Sequence, residues 1–255
     1  SGEIVAYMSA PDYDLNSFAG PVPIDIWEEW NTDSEKPLLN RAIQGLYPPG
    51  STFKLIGAAL AWENNIVDKN WTVQCNGMYR LGDKDFHCWN TNGHGEVNIE
   101  KAIWQSCNIY FYHLIQKLSL SDWKEFAEKF GFGSISGVDL YGEKKGNIPG
   151  RSYLNEKYGR YGWATGNLLT FVIGQGDILV TPIQVAQMMN IIATRGNTYV
   201  PHLLLDKSPR KVTLSLKPTT WDFLQHSIWE VVNHEDGTGK AAQIVGGDVH
   251  GKTGT

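Results

Sequence analysis

The longest uncharged apolar stretch, Leu55-Ile56-Gly57-Ala58-Ala59-Leu60-Ala61-Trp62, directly follows the tetrad Ser51-Thr52-Phe53-Lys54. Its length and lack of breakers predict a buried helix, started by Pro48-Pro49-Gly50 and ended by Asn64-Asn65. A second apolar pattern predicts broadly helical structure from Ile99 to Leu118. Ser121 reads as the N-cap of a helix through Phe130, with Gly131 at its C′ position. Thr181-Pro182 is an N-cap followed by proline, opening a helix that runs to Arg195 and stops at Gly196. A further helix is predicted over Thr219 to Val232. Ile4 to Ser9, closed by Pro11, and Val249 to Thr255 read as strands. Residues 10–48 are loop-rich, residues 71–98 a loop or small excursion, and residues 133–170 irregular. The pattern is mixed α and β, with no internal repeat or low-complexity linker.

Composition narrows the class. With 42% hydrophobic residues in 255, a substantial core can be buried. The net charge is −5 and no basic block occurs, so nothing points to nucleic acid. No apolar run approaches the ~18 residues of a membrane span. The chain opens abruptly at Ser1-Gly2-Glu3 and stops abruptly at Lys252-Thr253-Gly254-Thr255, as a piece of a longer protein would.

Three short motifs carry candidate chemistry. In Ser51-Thr52-Phe53-Lys54, the serine sits at a helix start, and the lysine shares its face one turn on. A serine hydroxyl needs a neighbouring base to attack a carbonyl, and a lysine serves if burial or nearby positive charge lowers its pKa. Free N–H groups at the helix start can bind an oxyanion. In Ser106-Cys107-Asn108, residues two apart on an α-helix diverge by ~200°, so Ser106 and Asn108 converge only if the helix breaks. A turn is therefore expected at 106–108, with Asn108 or Ser106 capping the next helix. In Lys252-Thr253-Gly254-Thr255, a strand would put Lys252 and Gly254 on one face, and Gly254 would let a substrate or backbone approach closely. Taken singly, these read as a solvated helix start, a helix cap and a strand end. In this order and at wide spacing, they form the signature of penicillin-binding proteins and serine β-lactamases.

The chain resembles the transpeptidase domains of class B penicillin-binding proteins, most closely the cell-elongation group. Tyr47 to Lys54, Trp89 with Gly93-His94-Gly95, and Gly131-Phe132-Gly133 carry the likeness. Ile173-Gly174-Gln175-Gly176, Thr181 to Gln184, Pro201-His202, Gly237-Thr238-Gly239 and the terminal Lys-Thr-Gly-Thr extend it over nearly the whole chain. It implies an α+β serine β-lactamase/transpeptidase-like fold, with a central antiparallel sheet flanked by helices and a helical subdomain. Residues 1–255 would be one such domain, lacking its C-terminal strands and helix, and a membrane anchor and pedestal would lie outside the chain.

The resemblance also implies roles. Ser51 would attack the carbonyl between the last two D-alanines of a peptidoglycan stem peptide, and Lys54 would take its proton. Ser106 would relay a proton to the leaving amine, and Asn108 would hold a substrate amide. Lys252 would support the proton network and, with Thr253 and Thr255, the substrate carboxylate. Backbone N–H groups of Ser51 and Thr255 would form the oxyanion hole. A second stem peptide would resolve the ester, and β-lactam antibiotics would acylate the same serine. No catalytic cofactor is implied. Implied partners are a glycan polymerase and elongation scaffold proteins at the periplasmic face of the inner membrane. Rival functions are a serine β-lactamase, a penicillin-sensing receptor domain and a D,D-carboxypeptidase.

Three cysteines remain. Cys75, Cys88 and Cys107 with His94 read C-x12-C-x5-H-x12-C. Three thiols and one imidazole make a tetrahedral structural zinc set. Elongation-type relatives resemble this in placing Asp, His and Cys ligands near the Ser-x-Asn motif, with Cys75 and Cys88 here standing where those have Asp. A Cys75–Cys88 disulfide, as an extracytoplasmic location favours, and free thiols are the alternatives. His87 is a less favoured ligand.

Overall fold

The computed structural model describes residues 1–205, 208 and 210–254. Its centre is a set of helices numbered here in chain order. α1 (Ile24–Thr32) and α2 (Arg41–Gln44) lie in the loop-rich segment before the Ser51 turn. α3 (Lys54–Glu63) buries every residue from Lys54 to Ala61, as an Ala-rich helix surrounded by others must. α4 (Ile99–Trp104) and α5 (Asn108–Ile115) are separated by a sharp break, and α6 is Leu120–Lys129. Then come α7 (Arg151–Tyr158), α8 (Thr165–Val172), α9 (Pro182–Ala193) and α10 (Pro218–Asn233). α3 packs against α4, α5, α6 and α10, and α5 packs against α8. A Cβ on Gly57 would come within 3.2 Å of Val172, so the glycine lets α3 and the end of α8 meet closely. Phe53 fills the space under the Ser51 turn, edge-on to Trp123 and Phe132 at 5.4 and 4.9 Å between centroids.

Among the described residues, strand pairing is antiparallel and divided among three two-stranded ladders: β1 (Val73–Cys75) with β4 (Gly95–Val97), β2 (Met78–Leu81) with β3 (Lys84–His87), and β5 (Asn197–Tyr199) with β6 (Lys211–Thr213). The fold is α+β. None of the helices among the described residues is long and apolar enough to cross a membrane.

Several local expectations need correction. Ile4–Ser9 forms no strand: only the preceding Glu3 makes a parallel bridge, to His202, and Val5 and Met8 are left exposed. Val249–Gly254 forms no strand; its backbone is held instead by the Gly251 N–H donating to the Ile228 carbonyl in α10. Helix α6 starts two residues early, with Ser119 rather than Ser121 accepting the Asp122 N–H. The irregular 133–170 stretch contains α7 and most of α8, which runs on to Val172. The excursion at 71–98 holds β1 to β4, whose strands of three or four residues are too short to show alternation.

Candidate active site

The Ser51 turn is built by its prolines and glycine. Gly50 adopts φ +58, and Gly50–Phe53 form a 3-10 turn that runs directly into α3. Ser51 is thereby placed at the helix start, one turn before Lys54, and both are buried. Gly174 supports the turn from behind. Its carbonyl accepts the Gly50 N–H at 2.9 Å, and at φ +72 a Cβ there would lie 2.1 Å from the Gly50 oxygen. Gly174→Ala is therefore expected to cost at least ~2 kcal/mol of stability, through left-handed strain and overlap, and to slow any reaction at Ser51. A denaturation midpoint equal to the parent's would remove this account.

The expected break at 106–108 is present. α4 ends at Trp104, Ser106 sits at φ +53, and α5 begins at Asn108. The N-cap position belongs to Cys107, not to Ser106 or Asn108, and no side chain caps there. Both polar residues are thus free to meet Lys54, whose Nζ donates to the Ser106 carbonyl (2.7 Å), Ser106 Oγ (3.2 Å) and Asn108 Oδ1 (2.6 Å). Burial brings the Lys54 pKa down to about 7, partly opposed by Cys107 and Cys88. Asn108 Nδ2 donates to the His87 carbonyl at 3.1 Å, so its amide is braced at both ends.

From the far end of the chain, Lys252 Nζ donates to Ser106 Oγ at 2.9 Å. Burial, then the charge of Lys54, push the Lys252 pKa well down. Ser106 Oγ therefore accepts from two lysines and keeps its own proton for a third group, which is what a proton relay requires. Thr253 Oγ1 lies 3.0 Å from Thr238 Oγ1. A Cβ on Gly254 would stand 3.5 Å from Thr52 and 3.6 Å from the Pro49 oxygen, so the Lys-Thr-Gly segment lies across the Ser51 turn. Thr255, assigned to substrate and oxyanion binding in the sequence, lies outside the described residues.

Cys75, Cys88, His94 and Cys107 converge, with one ligand atom from each within 4.8 Å of the others. His94 Nδ1 is 3.5 Å from both Cys75 Sγ and Cys88 Sγ. Tetrahedral zinc, with Zn–S ~2.3 Å and Zn–N ~2.0 Å, would separate S and N ligands by ~3.5 Å, so the set fits. The three thiols are buried and unbridged, and the Cys107 thiol lies against the other two, pulling their pKa values down while its own rises. His87 contributes its backbone carbonyl to Asn108 and lies outside this cluster.

A serine at a helix start, a buried lysine one turn on, a Ser-x-Asn turn and a Lys-Thr-Gly segment closing over both, on this fold, define the serine β-lactamase and transpeptidase class. Residues 1–255 match the family described as the penicillin binding protein transpeptidase domain, and the chain belongs to that family. It is 32% identical over 268 residues to the peptidoglycan D,D-transpeptidase MrdA of Haemophilus influenzae, covering 99% of this chain and 41% of that protein. Among solved structures, the Helicobacter pylori complex between penicillin-binding protein 2 and MreC matches with TM-score 0.83 and 34% identity, over 91% of this chain and 44% of that one. A structure described as the coordination of polymerization and crosslinking by a peptidoglycan synthase complex matches with TM-score 0.86 and 32% identity, over 99% of this chain and 44% of that one. The chain spans about two fifths of the length of the curated relative.

Two supports of the site escaped the sequence reading as functional residues. Gly174 and Thr238 stood out only as parts of the family likeness, because a glycine in a turn and a threonine between glycines carry no chemical signal until their neighbours are known.

Proposed function

We propose that this chain is the catalytic portion of a peptidoglycan D,D-transpeptidase. Ser51 attacks the penultimate D-alanyl carbonyl, forming an ester and releasing the terminal D-alanine, and the amine of a second stem peptide displaces Ser51 to close the cross-link. The observation that carries the reading is Ser106 Oγ held between Lys54 and Lys252, beside the Ser51 turn. Neutral Lys54 takes the Ser51 proton, and Ser106 passes a proton to the departing amine. Asn108, braced by Lys54 and His87, orders the cleft wall. Thr253 and Gly254 receive the substrate terminus, and Ser51 and Thr255 N–H groups are assigned to the oxyanion.

Peptidoglycan stem peptides are the substrates, and β-lactams are inhibitors that acylate Ser51. By analogy with the MreC and synthase complexes, the partners are a scaffold protein and a glycan polymerase of cell elongation. The longer protein places this domain outside the cytoplasm on a membrane anchor, in keeping with the greater length of the relatives. Zinc held by Cys75, Cys88, His94 and Cys107 would be structural, since four protein ligands leave no position for water.

The test is covalent labelling of the intact natural protein by a penicillin. The expected result is one label per molecule, mapped to Ser51 by mass and lasting for hours, together with cross-linking of stem peptides. Rapid turnover of the label favours a β-lactamase. A lasting label without cross-linking or carboxypeptidase action favours a sensing receptor.

A further inference from the structure

The loop after α10 reaches the centre of the site. Thr238 donates its N–H and its Oγ1–H to the Trp104 carbonyl, both at 3.1 Å. His234 stacks on the Trp104 ring at 3.9 Å between centroids, pinning the same loop. Trp104 is the last residue of α4, just before the Ser106 turn. On its other side, Thr238 Oγ1 is 3.0 Å from Thr253 Oγ1, which accepts from Lys252 Nζ at 3.3 Å. Thr238 thus ties the Ser-x-Asn turn to the Lys-Thr-Gly segment.

Proton accounting gives this tie a direction. A hydroxyl has one proton and two lone pairs. With the Thr238 proton on the Trp104 carbonyl, Thr253 must donate to Thr238 while accepting from Lys252. An anionic group arriving at Thr253 claims the one Thr253 proton. Thr238 can then turn its own proton onto Thr253 Oγ1, because its N–H still satisfies the Trp104 carbonyl. A hydroxyl that accepts from two donors is a stronger donor itself. We infer that Thr238 is a positioning residue that switches from acceptor to donor and thereby tunes Thr253 for a substrate carboxylate. This rests on the proposed acyl transfer at Ser51.

Thr238→Val keeps the shape and the N–H but removes the switch. In the intact protein, it should weaken the non-covalent complex with a carboxylate-bearing penicillin ~10-fold, as loss of support for a charge-assisted hydrogen bond implies, a larger effect than on the subsequent acylation step. Thr238→Ser should restore affinity to within ~2-fold, as it retains the hydroxyl. The methyl ester of the same penicillin should bind the parent and Thr238→Val equally, and Thr253→Val should leave nothing further for Thr238→Val to remove. Equal affinity of parent and Thr238→Val for the free acid overturns the inference. So does an equal loss for acid and ester, or failure of Thr238→Ser to rescue, since either marks a merely structural role. A parent protein that takes no label at Ser51 overturns the acyl-transfer reading, and this inference with it.

Discussion

Lys54→Ala is expected to slow acylation of Ser51 by ~10²–10⁴, the range that general-base assistance usually contributes. Lys54 is fully buried, and as an ammonium it spends all three N–H bonds on Ser106 O, Ser106 Oγ and Asn108 Oδ1. Losing one proton frees a lone pair. The Ser106 and Asn108 carbonyl oxygens can only accept, so the two remaining N–H bonds stay with them. The 3.2 Å contact to Ser106 Oγ is the one that can open toward the nucleophile. With burial holding the pKa at about 7, the amine is charged below that pH and neutral above it. Acylation should therefore fall as pH drops through about 7, approaching tenfold per unit further down. In Lys54→Ala, this acid limb should disappear along with most of the rate. Rates of penicillin labelling measured from pH 5 to 9 decide the matter. An unchanged limb in the variant would place the base elsewhere.

Under the proposed zinc site, chelator treatment of the natural protein is expected to lower its thermal midpoint sharply and to depress labelling of Ser51. Apparent binding free energies of structural zinc are ~10–16 kcal/mol in zinc-finger peptides, as large as the ~5–15 kcal/mol stability of a typical domain. Here the four ligands come from β1, the end of the β2–β3 hairpin, the turn before β4 and the break before α5. An ion would cross-link these short strands to the start of α5, adding to the packing of Val73, Val97 and Phe86 on the core. The coupling to catalysis is direct: Cys88 Sγ accepts the Asn108 N–H at 3.4 Å, and Cys107 lies between Ser106 and Asn108. Elemental analysis of protein purified without added metal should find about one zinc per chain, lost in Cys107→Ala. Protein that contains no metal but a Cys75–Cys88 disulfide would falsify the site.

The candidate site was more legible than the fold around it. The break at Ser106 followed from helix geometry once the Ser-x-Asn motif required Ser106 and Asn108 to face one site, since residues two apart cannot share a helical face. The left-handed Ser106 is the form that break takes. The lysine one turn after Ser51 followed from helical spacing in the same way. What escaped depended on distant partners. Ile4–Ser9 has the composition of a strand, but pairing is a property of two segments, and Glu3 finds a single bridge. α8 was hidden because Thr165-Gly166-Asn167 looks like a loop. Its start is made by Asn167 Oδ1 accepting the Ala164 N–H, and Leu169, Phe171 and Val172 then bury it. Ser119 and Ser121 are equivalent by composition, and only the packing of Leu120 and Trp123 inward selects the earlier cap.

The hydroxyl of Ser106 is reached by lysines 52 and 146 residues away along the chain. No fragment short of the assembled domain contains that meeting. Under the proposed chemistry, a penicillin is then a conformational probe as well as an inhibitor. The fraction of molecules that take the drug counts those in which the beginning, middle and end of the chain have found one another. Titrating that fraction during refolding would follow tertiary assembly with one covalent bond per native molecule.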